Sequence, residues 1–494
     1  MKLKELIKGI KIIKTNNGLN REISGIFYDS RKIIPDGIFV AVKGTDTDGH
    51  NFIQEAIEKG AKTIIVQRKG LVFPSGITQI LVEDSRKVLG EISTVFYQEP
   101  SLKMKVFGVT GTKGKTTITY ILRKIFQEAG YKTGLIGTIN YQIGERILPS
   151  TNTTPESVDI QRMFSGMLEN HITHAIIEVS SHALAQGRIS GIHFDCGIFT
   201  NIAGHEHLDY HKTFRDYVNT KLSFFSKYLK ESKKEKKSAV INLDNKYGKL
   251  FMREALSSNL DVCTYALNKK ADVHPEDIEY HINGTGFSLD GRPYFTPLIG
   301  DINLSNCLSA ICVAKIEGIP DVQIKTAIEN MPVVPGRMEF IEQGQPFKVI
   351  IDFAHTHQAL TEMLNVISGF RKKGRLILVF GCGGNRDKSK RPLMGSIAVK
   401  MADIVILTSD NPRNEDEIGI IKDIEKGIPF WRRKKHMVFV DRKEAVRQAI
   451  NIAREDDWVI IAGKGHETVQ IIGNVYQPFN DREIAVKSIK EKIS

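Results

Sequence analysis

A glycine-rich segment places the strongest constraint on how this chain folds. Residues 108–117 (GVTGTKGKTT) lie between an apolar, strand-like run at 105–109 and an amphipathic, helix-like run at 115–130. In a strand–loop–helix unit, glycines let backbone amides approach phosphate oxygens, and the helix N-terminus adds a favourable dipole. The segment therefore predicts a phosphate-binding loop at the carboxyl edge of a parallel sheet.

The side chains of this loop have the chemistry of phosphoryl handling. Lys115 can neutralise charge on the phosphates, and Thr116 can ligate Mg²⁺. The usual loop has a further glycine where this chain has Val109, so the segment is a variant of the common pattern. A glycine-rich turn without a ligand is the alternative, but the strand–loop–helix context favours ATP binding.

The rest of the chain alternates short apolar runs with helix-length segments, which indicates an α/β protein. A length of 494 residues corresponds to about three domains. We predict a small α/β domain at residues 1–100, a central P-loop-type parallel-sheet ATPase domain at 101–334 and a C-terminal Rossmann-like α/β domain at 335–494. The expected strands are residues 37–42, 63–66, 105–109, 175–179, 198–201, 348–352, 376–380, 404–408 and 459–462.

The composition limits which cellular compartment and which classes of binding partner we expect. Residues 1–14 lack the apolar core of a signal peptide, and no run approaches the roughly 18 apolar residues of a membrane span, so we expect a cytoplasmic protein without membrane insertion. The five cysteines form no CxxC pair and are assigned no chemistry. Of the net charge of +12, the densest run, residues 230–237 (KESKKEKK), contains acidic residues and no aromatics. It indicates a solvated helix end; we expect polyanionic small-molecule substrates and no nucleic acid.

The loop GTKGKTT resembles that of the Mur ligase and folylpolyglutamate synthetase superfamily. Other segments resemble the same family, occur in its order and span nearly the whole chain. They are YDSR (28–31), FVAVKGTDTDGH (39–50), NTTP (152–155), EVSSHAL (178–184), PGRME (335–339), DFAH (352–355), GCGGNRDKSKRP (381–392), DNPR (410–413) and GKGHE (463–467). After DFAH the family commonly continues with Thr-Pro-Asp, whereas this chain has Thr356 followed by His357 and Gln358. The stretch 201–207 (NIAGHEH) is one residue longer than usual.

The resemblance implies an ATP- and Mg²⁺-dependent amide ligase that activates a carboxylate as an acyl phosphate and then admits an amine. Within the family, the motifs are similar to the branch that adds meso-diaminopimelate to the D-glutamate γ-carboxylate of UDP-N-acetylmuramoyl-L-alanyl-D-glutamate in peptidoglycan precursor synthesis. The N-terminal domain would then bind UDP, and the enzyme would act as a monomer. The alternatives are addition of L-lysine, another Mur or folylpolyglutamate ligase, and a catalytically silent paralogue.

A catalytic and metal-binding group follows from the same resemblance. Glu178 ends an apolar strand at the sheet edge where ligands bind, although a capping or ion-pairing glutamate is the alternative. His207 corresponds to a family metal ligand, with His205 as a competitor because of the extra residue. Lys221 matches a lysine that CO₂ carbamylates; an exposed surface lysine is the alternative. With Lys115 as a further catalytic residue, the implied metal ligands are Thr116, Glu178, His207 and carbamylated Lys221.

The resemblance also assigns three binding sets. The ATP set is Gly111, Thr112, Lys113, Gly114, Lys115, Thr116, Thr117, Asn306, Arg337, Asp352 and His355. The set for the UDP-muramoyl peptide is Ser30, Thr153, Thr154, Ser180, Gln186 and Arg188. The set for the added amino acid is Arg386, Asp410, Asn411, Pro412, Arg413, Gly463 and Glu467. Asp352 and His355 would face the nucleotide only after the third domain closes, which would exclude water.

The DNPR segment indicates which amino acid is added. The meso-diaminopimelate molecule carries a second carboxylate that lysine lacks, and the guanidinium of Arg413 can grip it through paired hydrogen bonds. Glu467 suits an ammonium group. A lysine-adding enzyme would leave such an arginine unpaired, so the segment favours meso-diaminopimelate over L-lysine.

Overall fold

The computed structural model describes residues 1–16, 18–44, 47–203 and 210–494, and these form two compact units. The first unit comprises Met1–Pro275 and Ser305–Ala327, and the second comprises Glu276–Leu304 and Ile328–Ser494. The division into domains at residues 100 and 334 stays a prediction. The α/β fold class is confirmed, since both units are built on mainly parallel sheets with helices packed against them.

A five-stranded sheet forms the beginning of the first unit. Its strands, in spatial order, are Ile12–Thr15, Thr78–Val82, Thr63–Val66, Ile38–Val40 and Ile26–Phe27. All pairings are parallel except that of the first edge strand. The accompanying α-helices are Leu3–Leu6, Ile53–Glu58 and Ser85–Phe96, with 3₁₀ turns at Ser30–Lys32, Gly49–Phe52 and Pro100–Lys103.

An eight-stranded sheet is the centre of the first unit. Its strands, in spatial order, are Asp261–Tyr265, Ser238–Asn242, Cys196–Phe199, Lys105–Thr110, His174–Val179, Thr133–Ile136, Asn140–Ile143 and Arg146–Pro149. The first six are parallel, and the last two form an antiparallel extension. The helical segments of this region are Lys115–Glu128, Ser157–Glu169, Ser181–Ala185, Phe214–Ser223, Phe224–Leu229 (π) and Gly248–Ser257, together with most of Asp301–Ile316 and of Asp321–Glu329.

The order of these strands determines where a ligand binds. After the strand Lys105–Thr110 the chain builds one side of the sheet, returns through His174–Val179, and then continues on the other side with Cys196–Phe199. Every residue of His174–Val179 is buried, as expected for a central strand covered on both faces. Reversal of strand order opens a crevice at the carboxyl ends of neighbouring strands. The predicted phosphate loop begins at that point.

The second unit contains a six-stranded sheet. Its strands, in spatial order, are Glu339–Phe340, Lys348–Asp352, Trp458–Ala462, Leu376–Phe380, Ile404–Leu407 and His436–Val438, all parallel except the first. Its helices are His357–Phe370, Lys390–Met401, Glu417–Glu425, Phe430–Lys435 (3₁₀), Arg442–Ile452 and Asp481–Ile493. Two further antiparallel elements are the sheet Glu276–His281, Gly284–Leu289 and Arg292–Thr296, and the hairpin Val469–Ile472 and Val475–Pro478.

The expected strands all occur, with ends shifted by no more than two residues. Residues 63–66, 348–352 and 376–380 match without change, whereas 198–201 is shifted to Cys196–Phe199. The helix predicted from residue 115 ends at Glu128 rather than 130. These runs were predictable because their apolar side chains fill the cores on both faces of each sheet.

A buried ion pair joins two helices of the second unit. Arg442 donates from Nε to Oδ1 of Asp481 at 2.9 Å and from Nη2 to Oδ2 at 2.7 Å, and both side chains are fully buried. Removing the carboxylate leaves a buried guanidinium without its counter-charge, so we expect Asp481→Asn to lower the free energy of unfolding by about 3–5 kcal/mol. Urea titration followed by tryptophan fluorescence measures this, since Trp431 and Trp458 both lie in this unit.

The matched control is Glu491→Gln, which removes an exposed partner of Arg447 on the same helix as Asp481. Exposed pairs contribute less than about 1 kcal/mol, so the control should leave the unfolding midpoint nearly unchanged. Equal midpoints for the two variants would contradict a structural role for the buried pair.

Candidate active site

The predicted phosphate loop is closed by glycines at two positions where a side chain has no room. Gly111 has a φ of 148° and Gly114 a φ of 90°. A Cβ atom on Gly111 would lie 1.9 Å from Oγ1 of Thr200, and one on Gly114 would lie 2.5 Å from Oδ1 of Asn306. The helix Lys115–Glu128 therefore starts from a tight turn whose backbone would allow a ligand to approach closely, as an anion site requires.

Residues after the neighbouring strand hold this loop in place. The backbone N–H of Thr112 donates to the carbonyl of Asn201 at 2.8 Å, and that of Lys113 donates to Oδ1 of Asn201 at 3.0 Å. Oγ1 of Thr200 donates to the carbonyl of Lys113 at 2.6 Å. The start of the loop is thus fixed by the segment that follows the strand Cys196–Phe199, on the adjacent side of the strand reversal.

Two ammonium groups converge on one carbonyl oxygen of the loop. Nζ of Lys115 donates to the carbonyl of Gly111 at 3.0 Å and to that of Thr112 at 3.1 Å. Nζ of Lys221 donates to the same Gly111 oxygen at 2.8 Å. This arrangement places two amines at the phosphate loop, and the ammonium of Lys115 fits a polyanionic nucleotide.

The helix Phe214–Ser223 delivers Lys221 to this point. A capping box between Thr213 and Asp216 starts the helix, and Tyr217 and Lys221, four residues apart, lie on its buried face. Lys221 is only 1% exposed, and its Nζ lies 5.1 Å from the ring centroid of Tyr217. The alternative of an exposed surface lysine is therefore wrong.

Glu178 is the buried carboxylate of the site. It lies opposite Val109 in the register of the two central strands and is 1% exposed. Its two oxygens accept hydrogen bonds from the backbone N–H of Thr138 at 2.8 Å and from Oγ1 of Thr138 at 2.9 Å. Glu178 forms no ion pair with any described residue and caps no helix. Its negative charge is thus left for a cation that the described side chains do not supply.

Other parts of the predicted metal set are less complete. His207 and its competitor His205 lie outside the described residues. Thr116 is 5% exposed in the first turn of the helix that follows the loop. Within residues 1–16, 18–44, 47–203 and 210–494, no three His, Cys, Asp or Glu side chains gather as a metal site.

The residues predicted for the muramoyl peptide, apart from Ser30, form one polar network beside Glu178. Oγ1 of Thr154 donates to the carbonyl of Glu178 at 2.7 Å and accepts from the backbone N–H of Ser180 at 3.0 Å. Nη1 of Arg188 donates to the carbonyl of Thr154, and Nε donates to Gln186. Oγ1 of Thr153 lies 3.0 Å from that of Thr138. Ser30 instead lies by the N-terminal sheet, where it donates to Glu55.

A second arginine, which sequence reasoning missed, belongs to this network. Arg86, on the helix Ser85–Phe96, hydrogen-bonds to Glu156, which also pairs with Arg188 at 3.2 Å. Both guanidiniums are largely buried. Two cations around one carboxylate leave a net positive charge, which suits an anionic group of a substrate.

In the second unit, three of the motifs meet at the ends of two adjacent strands. Asp352 accepts from the backbone N–H of Met338 and from that of Ala354, both at 2.8 Å, and its carbonyl accepts from the N–H of Gly463. The guanidinium of Arg337 lies 4.8 Å from the ring centroid of Phe353. Nδ1 of His355 lies 2.8 Å from the carbonyl of Phe353. The structure thus brings together Arg337, Asp352 and His355 as one group.

The residues predicted for the added amino acid also converge in this unit. Nδ2 of Asn411 donates to Oε2 of Glu467 at 2.8 Å, and the N–H of Asn411 donates to Oδ1 of Asp410 at 2.7 Å. A Cβ on Gly463 would lie 2.8 Å from Oδ2 of Asp410. The DNPR and GKGHE segments are therefore one polar surface.

Arg413 is held in a strained conformation at this surface. Its φ is 53°, a left-handed value uncommon for a residue other than glycine. Its guanidinium donates to the carbonyl of Gly384 at 2.9 Å. Burial and the nearby guanidinium of Arg386 lower the pKa of Arg413 from its usual value. Two neighbouring arginines indicate a site for a carboxylate.

Two buried cations that sequence reasoning missed support this surface. Nζ of Lys464, fully buried, donates to Oδ1 of Asn411 at 2.9 Å, to Oε2 of Glu467 at 2.8 Å and to a backbone carbonyl. Arg391, also fully buried, donates to Glu415 and Asp423 at 3.0 Å each. In the sequence both are ordinary basic residues within charged or glycine-containing segments. Only the GKGHE and GCGGNRDKSKRP motifs pointed to their neighbourhood.

The glycine-closed loop, the buried carboxylate and the strand reversal beside them define a nucleotide-binding α/β enzyme. Models of three protein domains match the chain: the Mur ligase family catalytic domain at residues 22–97, the Mur ligase middle domain at 109–314 and the Mur ligase glutamate ligase domain at 336–465. The chain belongs to the Mur ligase family, whose members are ATP-dependent amide-forming ligases.

Curated relatives match over the whole length. The UDP-N-acetylmuramoyl-L-alanyl-D-glutamate–2,6-diaminopimelate ligase 1 of Clostridium acetobutylicum is 41% identical over 497 positions, covering 99% of this chain and 100% of that protein. The ligase of the same name (without the numeral) from Caldanaerobacter subterraneus subsp. tengcongensis is 42% identical, covering 99% of both chains.

Solved structures show the same architecture. A structure of a UDP-N-acetylmuramoyl-L-alanyl-D-glutamate–2,6-diaminopimelate ligase superposes with a TM-score of 0.69 at 29% identity, covering 100% of this chain and 99% of that one. The MurF ligase of Thermotoga maritima, solved with ADP, has a TM-score of 0.62 at 19% identity, covering 94% and 96%. The latter supports the fold alone. In the described parts of the chain, no helix combines the length and apolar character of a membrane span.

The contacts of Lys464 predict a kinetic effect of its removal. Lys464→Met keeps the volume but removes the ammonium that orients Asn411 and Glu467. Loss of hydrogen bonds to a charged group, about 1.5–3 kcal/mol, should raise the KM for the amine substrate roughly tenfold or more, with little change in the KM for ATP. Steady-state phosphate release at varied amine and varied ATP separates the two constants.

Lys487→Met is the matched control, because Lys487 lies in the same unit with its side chain 72% exposed. It should leave both constants unchanged. A parallel rise in the two KM values for Lys464→Met would point to general destabilisation and would refute a positioning role.

Proposed function

We propose that this chain joins meso-diaminopimelate to the D-glutamate γ-carboxylate of UDP-N-acetylmuramoyl-L-alanyl-D-glutamate, with conversion of ATP to ADP and phosphate. The observation that carries the phosphoryl step is the convergence of Lys115 and Lys221 on the carbonyl of Gly111, one strand away from the buried Glu178. The named relatives, at about 41% identity over the whole chain, support the choice of substrates.

The reaction needs a leaving group on the carboxylate carbon. An oxygen of the D-glutamate γ-carboxylate attacks the γ-phosphorus of ATP, the bond to ADP breaks, and an acyl phosphate forms. The neutral amine then attacks the acyl carbon and phosphate leaves with the bonding electron pair, while the amine proton passes to solvent or a nearby base. Lys115 and the amides of the loop offset the negative charge that moves between these oxygens.

Mg²⁺ is the second component of this proposal. When bound, it neutralises charge on the phosphate oxygens. Glu178 fits this ion, since a carboxylate that is 1% exposed and unpaired among the described residues gains from a neighbouring hard cation. Thr116 and carbamylated Lys221 would hold the ion with Glu178, and His207 would complete the set.

Lys221 serves this site best as a carbamate. Two ammonium groups that share the carbonyl of Gly111 repel each other, and burial disfavours the charged form of the more enclosed one. Its neutral amine can attack the carbon of CO₂, forming an N–C bond and releasing one proton. The product is an anionic oxygen donor beside the phosphate loop.

The substrates fall on two surfaces. We assign the muramoyl peptide to the network of Thr153, Thr154, Ser180, Gln186 and Arg188, with Arg86 as an added cation and Ser30 at the uridine end. We assign ATP to the loop residues 111–117 and Asn306, and the family resemblance extends this assignment to Arg337, Asp352 and His355. The enzyme would work as a monomer in the cytoplasm.

The diamino acid is assigned to the surface formed by DNPR and GKGHE. Arg413 and Arg386 would bind the carboxylate that meso-diaminopimelate has and lysine lacks, and this carboxylate would relieve the repulsion between the two guanidiniums. Glu467, Asp410 and Asn411 would hold the ammonium and polar groups. Lysine offers no such carboxylate, so the arginines would stay uncompensated.

Phosphate release from ATP in the presence of UDP-N-acetylmuramoyl-L-alanyl-D-glutamate tests the reaction. We expect release with meso-diaminopimelate and little with L-lysine or with no amine. Arg413→Asn, which tolerates the left-handed backbone, should lower kcat/KM for meso-diaminopimelate roughly 10- to 100-fold, the value of a lost charged hydrogen bond.

Arg447→Ala is the control for charge, since Arg447 is a half-exposed arginine of the same unit. If the wild-type enzyme prefers L-lysine, the proposed ligase reaction stands, but the proposed role of Arg413 is wrong. No release with any amine would favour another ligase of the superfamily or a silent paralogue.

The carbamate has a direct spectroscopic test. Incubation with ¹³C-bicarbonate should give a carbamate carbon signal in the NMR spectrum that Lys221→Ala abolishes. The same variant should lose at least about 100-fold in phosphate release and regain part of it with added acetate, which supplies an anionic oxygen.

Lys227→Ala provides the comparison, because Lys227 also lies near a tyrosine ring, at 5.2 Å, but is exposed. It should keep both the signal and the activity. A wild-type spectrum without a carbamate signal, under conditions of full activity, would exclude the modification.

A further inference from the structure

One turn of the second unit exposes two large aromatic side chains to solvent. The 3₁₀ helix Phe430–Lys435 has the sequence FWRRKK, and we call it the aromatic–basic turn. Phe430 is 80% exposed and Trp431 is 79% exposed, more than any other aromatic side chain in the described ranges. Side chains of this size are normally buried when a core is available.

The turn holds these rings outward because its other side is anchored. Nη1 of Arg432 donates to the carbonyl of Val399 at 2.8 Å, and Nζ of Lys435 donates to that of Ala402 at 3.2 Å. These carbonyls end the helix Lys390–Met401, whose last acceptors lack partners within the helix. The turn is therefore attached to the fold by two of its cations.

The remaining cations face solvent beside the rings. The guanidinium of Arg433 lies 5.9 Å from the ring centroid of Phe430, and Arg433 and Lys434 form no ion pair with any described carboxylate. The segment 426–440 contains five Lys or Arg residues and no Asp or Glu. Nearby carboxylates have other partners: Glu425 binds His436, and Asp403 binds Arg371.

We propose that the aromatic–basic turn docks the protein on an anionic phospholipid surface. Trp and Phe are favoured at the headgroup level of a bilayer, and cations beside them are attracted to anionic lipids. Such peripheral docking needs only a point contact and no membrane-spanning helix. It is independent of the ligase reaction proposed above.

Other partners fit this turn less well. A stable protein interface buries on the order of 1,000 Å² or more, whereas here the exposed apolar surface comes from two adjacent side chains. A single-stranded nucleic acid needs a cationic groove along about 4–16 nucleotides, whereas these cations lie on one six-residue turn. Docking on a lipid surface requires neither a large contact area nor a groove.

Co-sedimentation with vesicles tests the proposal. The full chain should sediment with vesicles of phosphatidylcholine mixed with phosphatidylglycerol and stay in solution with phosphatidylcholine alone. Each surface cation contributes about fivefold to partitioning on an anionic bilayer, so Arg433→Glu with Lys434→Glu should lower binding by about 25-fold or more. Phe430→Ser with Trp431→Ser should also release the protein, and added salt should weaken wild-type binding.

The matched control is Lys69→Glu with Val72→Ser, which removes an exposed cation and a side chain that is 94% exposed in another part of the chain. It should bind like the wild type, and all variants should keep the wild-type unfolding temperature. Absence of sedimentation with anionic vesicles, or equal binding by the turn variants, would overturn the proposal. So would retention of a single-stranded oligonucleotide, or self-association abolished by the aromatic variant, without vesicle binding.

Discussion

The geometry of the phosphate loop depends on the carbonyl oxygen of Gly111, because the Nζ atoms of two lysines that are far apart in the sequence donate to it. Lys115 reaches it from the helix that follows the loop, and Lys221 from a helix about a hundred residues later. Such a concentration of like charge costs free energy unless an anion lies beside it. The strand reversal, the glycines and the segment that buttresses the loop bring these two side chains to one opening of the sheet, where the proposed carbamylation of Lys221 would remove the repulsion between them.

In the second unit, buried cations stabilise polar loops because carboxylate and carbonyl acceptors surround each of them. Arg391, Lys464 and Arg442 are all fully buried, and each is surrounded by carboxylate or carbonyl acceptors. The guanidinium of Arg391 lowers the pKa of Glu415 to about 2, which keeps this carboxylate charged over the physiological range. Because a buried cation without acceptors is very unfavourable, these side chains allow few alternative loop conformations. Rigid loops position binding groups without help from a regular helix or strand.

The sheets and part of the site were predictable because apolar runs report burial directly. Glu178 is a polar residue near the end of such an apolar run, and its burial follows from the buried strand that carries it. Lys221 and Lys464 carry no comparable signal, since a lysine contributes to a sequence pattern in the same way whether exposed or enclosed. The run 230–237 was interpreted as solvated, but Lys234 is largely buried and pairs with Asp195 at 3.0 Å. The hairpin Val469–Ile472 and Val475–Pro478 was missed because every residue of its second strand is exposed, so the strand shows no alternation of buried and exposed side chains.

That hairpin decides the orientation of Arg413. A left-handed backbone at a residue other than glycine costs about 1–3 kcal/mol and persists only where neighbouring contacts impose it. Here the N–H of Arg413 donates to the carbonyl of Ile471 at 3.0 Å, and its carbonyl accepts from the N–H of Gly473 at 2.7 Å. The strained backbone of Arg413 is therefore held by two hydrogen bonds to the hairpin. If Arg413 binds the second carboxylate as proposed, this recognition depends on the clamp as well as on the guanidinium, and we expect that an arginine in a relaxed loop would not reproduce it.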